Sequence, residues 1–98
     1  MLALSVLVVA ILLASMATMV YSSSNPGSPV LTISNSIAEP SAVTFDKSGN
    51  LWVADAQTGE VFEFTPPYTG APALTISNSL AEPFDVTFDS SGNLWVAD

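Results

Sequence analysis

The side chains that could do chemistry in this chain are acids and tryptophans, and they come in pairs 43 residues apart: Glu39 and Glu82, Asp46 and Asp89, Trp52 and Trp95, Asp55 and Asp98. Clustered carboxylates can hold a hard cation such as calcium, which takes about six to eight oxygen ligands. Asp46 to Asn50 ("DKSGN") and Asp89 to Asn93 ("DSSGN") share the opening of an Asp-rich calcium loop. They lack its later bidentate Glu and its spacing, and read instead as hairpin turns. A tryptophan can stack on a sugar. Trp52 and Trp95 fall in the middle of predicted strands with two apolar faces, which reads as packing between repeat units.

Other chemistries are excluded by composition. The chain has no Cys, so disulfides, thiolate catalysis and thiolate metal sites are out. It has no His, which removes the commonest general base and any Ser–His arrangement. Lys47 is the one basic side chain against nine acids, giving a net charge of −8. There is no basic surface for nucleic acid, and anionic partners are disfavoured. No Gly-rich phosphate loop is present.

The acid and Trp pairs are carried by an internal repeat. Leu31 to Asp55 ("LTISNSIAEPSAVTFDKSGNLWVAD") returns as Leu74 to Asp98 ("LTISNSLAEPFDVTFDSSGNLWVAD"). The copies differ only at Ile37/Leu80, Ser41/Phe84, Ala42/Asp85 and Lys47/Ser90. A period near 43 with several short strands per unit points to a β-propeller blade. Pro40, Pro66, Pro67, Pro72 and Pro83 interrupt any helical alternative. Predicted strands are Ala42–Phe45, Leu51–Ala54, Glu60–Thr65 and Ala73–Ser77, with Leu31–Ser34, Asp85–Phe88 and Leu94–Ala97 as their copies. Asp46 and Asp89 can accept N–H bonds in the turns, and Gly49 and Gly92 can take the positive φ of a bulged hairpin. In "LWVA", Leu51 and Val53 face one way and Trp52 and Ala54 the other, so both faces are apolar. Burying a large side chain between units contributes about 1.5–3 kcal/mol.

"AVTFDKSGNLWVAD" and "DVTFDSSGNLWVAD" resemble the NHL-repeat signature: a strand ending in Asp, a Gly-Asn turn, then an aromatic-Val-Ala-Asp strand. "EVFEFTPP" fits the third strand of that repeat. The resemblance spans residues 30 to 98. It implies an all-β fold, an incomplete β-propeller of about one and a half four-stranded antiparallel blades. Gluconolactonase-like and virginiamycin B lyase-like propellers share such repeats, whereas the Gly-His and Trp-Asp marks of WD40 are absent. The strand after Glu39-Pro40 or Glu82-Pro83 would then line a central channel. Gluconolactonase-like relatives hold a divalent cation there, which makes Glu39, Glu82 and Asp85 the candidate ligands for calcium. Ala42 stands at the place of Asp85 in the first copy, and the plainer reading is of solvated loop acids. Asp46, Gly49, Asn50, Trp52 and Asp55, with Asp89, Gly92, Asn93, Trp95 and Asp98, read as structural. No catalytic residue is indicated; the related lyases depend on His.

Seventeen of the first 20 residues are apolar and none is charged. A helix of that length, about 30 Å, can cross a bilayer. Residues 1–22 are therefore expected to form an apolar helix, either a cleaved signal or a membrane anchor. Ser15-Met16-Ala17 offers small residues where a signal peptidase reads, and a second candidate cut follows Ser22. The basic start of a signal is missing. Residues 23–29 read as a Ser/Asn/Gly/Pro linker. Either reading of the leader places the rest outside the cytoplasm, with membrane contact through residues 1–20. The expected role is a non-catalytic binding or scaffold module within a longer extracytoplasmic propeller, partnered by further blades of the same protein or by copies of itself. Two alternatives are a piece of a metal-dependent lactonase- or lyase-like enzyme, and a self-assembling repeat. Seven predicted strands fall one short of the eight that two blades need.

Overall fold

The computed structural model describes residues 31–98 in full and the backbone of residues 7–13 and 16–22. These described residues form strands and turns, with no helix among them. The strands are β1 (Leu7–Leu13), β2 (Met16–Ser22), β3 (Leu31–Ile33), β4 (Pro40–Phe45), β5 (Leu51–Asp55), β6 (Glu60–Phe64), β7 (Leu74–Ile76), β8 (Asp85–Phe88) and β9 (Leu94–Ala97). They pair antiparallel as three sheets, β1-β2-β3, β4-β5-β6-β7 and β8-β9.

The central four-stranded sheet is a meander, each strand beside its sequence neighbour, because short turns separate the apolar runs. The β4–β5 turn is closed by Asp46 N–H donating to Asn50 O at 3.0 Å and Gly49 N–H to Asp46 O at 3.1 Å. Gly49 sits at φ +83° and its counterpart Gly92 at +85°, in left-handed backbone that suits a residue without Cβ. β4 begins at Pro40, two residues before the predicted strand, and an irregularity between Pro40 and Ala42 lets its edge turn into the preceding loop.

Alternation along β5 divides the packing as the sequence pattern requires. Leu51 and Val53 pack with Ile33, Ile37, Phe62 and Phe64 on one face of the central sheet. Trp52 and Ala54 pack with Val61 and Val86 on the other, where Phe88, Leu94 and Val96 of the β8–β9 hairpin close over them. All five residues of β5 are buried. At β5 both faces of the sheet are therefore covered, where a single-layer amphipathic sheet would leave one face wet.

The leader departs from expectation. A helix was expected over residues 1–22, yet its described portions are the strands β1 and β2, running antiparallel from Leu7↔Ser22 to Leu13↔Met16. A wholly apolar run carries no periodicity that separates helix from buried strand. Val8, Val9 and Ile11 are β-branched and favour the extended form, and β2 also pairs with β3. No helix among the described residues is long and apolar enough to cross a membrane. The linker over residues 23–29 lies outside the described residues.

Candidate functional site

The repeated acids are built into the hairpins. Asp46 Oδ1 accepts the backbone N–H groups of Ser48 (2.9 Å) and Asn50 (3.0 Å). Its Oδ2 accepts Asn50 Nδ2 (2.9 Å) and Trp52 Nε1 (3.0 Å). Asp89 repeats all four bonds with Ser91, Asn93 and Trp95 at 2.9 Å. Desolvation opposes the charged form of Asp46, but donors from Trp52, Asn50 and Ser48 outweigh it and bring the pKa down to about 2. The Trp95 indole and the Asn93 and Ser91 donors likewise hold Asp89 well below the usual carboxylate range. Both carboxylates are thus held ionised as acceptors, and each ties an indole to its own turn.

Asp55, at the end of β5, is fully buried. Its Oδ2 accepts the N–H groups of Ala38 (2.6 Å) and Glu39 (3.0 Å), and its Oδ1 accepts Thr58 N–H (3.0 Å). One carboxylate thereby fastens the loop entering β4 and the turn leaving β5. Asp98 makes the corresponding bonds to Ala81 (2.9 Å) and Glu82 (2.8 Å) while exposed. The structure therefore places Glu39 and Glu82 in exposed loops, where their backbone N–H groups serve these aspartates. Asp85 is exposed at the start of β8, with Oδ1 accepting Val86 N–H at 3.0 Å. The three candidate calcium ligands are not brought together: among the described residues, no three of His, Cys, Asp and Glu gather as a metal site would need.

What the structure does bring together is one copy against the next. Lys47 Nζ donates to Ser90 O at 3.0 Å, and Ser90 is the position 43 residues on from Lys47 itself. Ser41 Oγ lies 2.8 Å from Pro83 O and 3.2 Å from Ala54 O. Between these contacts the Trp52 and Phe88 rings meet edge to face, with centroids 5.5 Å apart. Gly59, at φ +72°, lies so close to the second copy that a Cβ there would sit 3.0 Å from Ala81 O. A groove opens at the turn end of this joint, lined by Phe45, Lys47, Trp52, Phe88, Asp89 and Leu94. Its acids are already engaged by their own turns.

Ser41 and Lys47 were not singled out as functional by sequence reasoning. A signal existed: they are two of the four positions at which otherwise identical blocks differ. Tyr68 was also missed. Its Oη donates to Gly49 O at 2.7 Å, and its ring packs edge-on against Phe45.

Fold and joint together define an all-β protein of stacked antiparallel repeat units. No family model, no curated protein and no solved structure matches the chain.

Proposed function

We propose that the chain is a segment of an NHL-type β-propeller, exported from the cytoplasm, that serves as a non-catalytic scaffold or binding module. The observation that carries this reading is the spacing of the joint. Lys47 reaches Ser90, and Ser41 reaches Pro83. Ser90 is the counterpart of Lys47, and Pro83 stands one residue before Phe84, the counterpart of Ser41, so one unit meets the next at or beside its own counterpart positions, as wedges turned about a common axis do. The two-sided burial of β5 supports the same arrangement, since a blade is covered on both faces. Use of Asp46, Asp55, Asp89 and Asp98 as acceptors for their own loops supports a scaffold over a reaction centre. The uncharged apolar opening, with its small residues at Ser15 and Ala17, supports export.

Two measurements on the full chain test this. Calcium titration by calorimetry should give no saturable heat, and lactone substrates should not be turned over. Calcium binding that Glu82→Gln or Asp85→Asn removes would overturn the non-catalytic reading. Hydrogen exchange on a Ser41→Ala/Lys47→Ala variant should show β8 losing protection while β5 and β6 keep theirs. Unchanged β8 protection would overturn the wedge arrangement.

A further inference from the structure

The first sheet repeats the central one, a period earlier. β1, β2 and β3 stand 43 residues before β5, β6 and β7, to within one residue at their ends. The partners from Val8↔Tyr21 to Leu12↔Ala17 advance by that interval to Leu51↔Phe64 and Asp55↔Glu60, the outermost partners joining β5 to β6. β2 then joins β3 as β6 joins β7, within one residue: Met19↔Ile33 against Val61↔Ile76. β1 lies against β4 as β5 lies against β8. The sequence keeps the interval as well: Gly27, Pro29 and Leu31 precede Gly70, Pro72 and Leu74. β1, β2 and β3 thus hold the second, third and fourth places of a unit that precedes the central sheet.

The same residues have a second use that this placement shuts off. As a helix, the uncharged apolar run can cross a bilayer. Both candidate cuts fall within β2 instead: Ala17 is partnered by Leu12, and Ser22 by Leu7. Between them, Met19–Tyr21 are paired on both sides, to β1 and to β3. Proteolysis acts on backbone that has opened, so a bond held inside a sheet is shielded until its strand is released. Helix and paired strands each satisfy backbone N–H and C=O groups, so the segment can exchange one for the other without leaving them bare in lipid.

We propose that the apolar opening is a switch released by a lipid bilayer: in the folded chain it forms two strands of a blade with both peptidase sites closed, and a bilayer draws it out as a spanning helix in which they open. The exchange gives up the pairing of β2 with β3 and the packing of β1 on β4, and gains the transfer of an apolar run into hydrocarbon. The bilayer state rests on the export reading above; the strand state does not. The net charge of −8 opposes an anionic surface, which makes phosphatidylcholine vesicles the suitable probe.

The chain has no native Cys, so an Ala10→Cys/Met19→Cys variant carries the only thiols, at partnered positions of β1 and β2. In a helix the two would stand about 13 Å apart, beyond the roughly 7 Å that a disulfide spans between Cα atoms. A Val9→Cys/Val20→Cys variant covers the alternation of close and wide pairs along the ladder. Each full-length variant is folded in buffer and oxidised, and the disulfide is located by mass spectrometry. Reduced and oxidised forms are then mixed with the vesicles and with signal peptidase. Expected is a disulfide within single chains for at least one variant. The reduced form should float with the vesicles, gain helical dichroism, lose exchange protection at β3 and be cut after Ala17 or Ser22. The oxidised form should be bound and cut at least about tenfold less. Failure of both variants to close within one chain overturns the strand state. Equal uptake and cleavage of the two forms overturns the switch. A reduced chain added from urea directly to vesicles separates the remaining outcomes. If the peptidase leaves even that chain whole, the export reading falls and the bilayer state with it. If it is cut while the folded reduced chain is not, release by the bilayer is overturned and the export reading stands.

Discussion

Trp52 and Trp95 occupy the same place in two nearly identical blocks, make the same bond to an aspartate, and meet opposite fates. Trp52 is 8% exposed, beneath Phe88 and Val86, whereas Trp95 is 62% exposed. The same contrast separates Asp55, fully buried, from Asp98. Local geometry is thus written within each block, because both copies build the turn and place the indole alike. Burial comes from the neighbour. Two of the four copy-specific residues of the first block lie where the neighbour is met: Ser41 and Lys47 both donate to the second copy.

The largest break in this comparison should come from the tryptophans. Trp52→Ala is expected to cost about 3–5 kcal/mol by emptying a buried site, while Trp95→Ala should cost about 1 kcal/mol or less. Chemical denaturation of the two variants measures the gap, and equal losses would refute burial by the neighbour. Asp55→Ala comes next, at about 3 kcal/mol, because it leaves the N–H groups of Ala38, Glu39 and Thr58 without their acceptor inside the protein. Asp98→Ala removes exposed bonds that water can replace, and should cost about 1 kcal/mol or less.

Gly49→Ala and Gly92→Ala sharpen the comparison from the other side. No atom lies within 4 Å of a Cβ built at either position, so only the positive φ opposes the change. Both variants should lose about 1 kcal/mol, and equally, since the strain is internal to each turn.

The smallest effect is the dependence on pH. The folded pKa of Asp46 lies near 2, below the unfolded value of about 3.9. Its stabilisation is therefore complete above about pH 4 and is lost as the pH falls toward 2. Thermal melts across that range should decline, and Asp46→Asn should flatten the slope.

Much of this was legible in the residues. The strands of the two copies followed from alternation and Gly-marked turns, to within one or two residues at their ends. The two-sided packing followed from Leu51, Trp52, Val53 and Ala54. The leader was not legible, because a run so rich in apolar residues satisfies a helix and a strand alike; only pairing with β3 distinguishes them. The indole–carboxylate bond was not legible either. Asp46 and Trp52 are six residues apart, and nothing in the pattern says that the turn folds one over the other. Ser41 and Lys47 acquire meaning only once the position of the next copy is known. The three candidate metal acids were suggested by the channel position that the resemblance implies, whereas the fold uses the loops of Glu39 and Glu82 to satisfy Asp55 and Asp98 and leaves Asp85 exposed on β8.

The bond from Trp95 Nε1 to Asp89 has a thermodynamic consequence. An exposed indole would ordinarily sample several rotamers and forfeit that freedom on contact. Here the ring is already held by its own hairpin, so an arriving surface meets a fixed template and the entropic penalty of docking is paid in advance. The same tether makes the ring an optical gauge, whose emission should shift to shorter wavelength when water leaves its face, while the already shielded Trp52 stays unchanged.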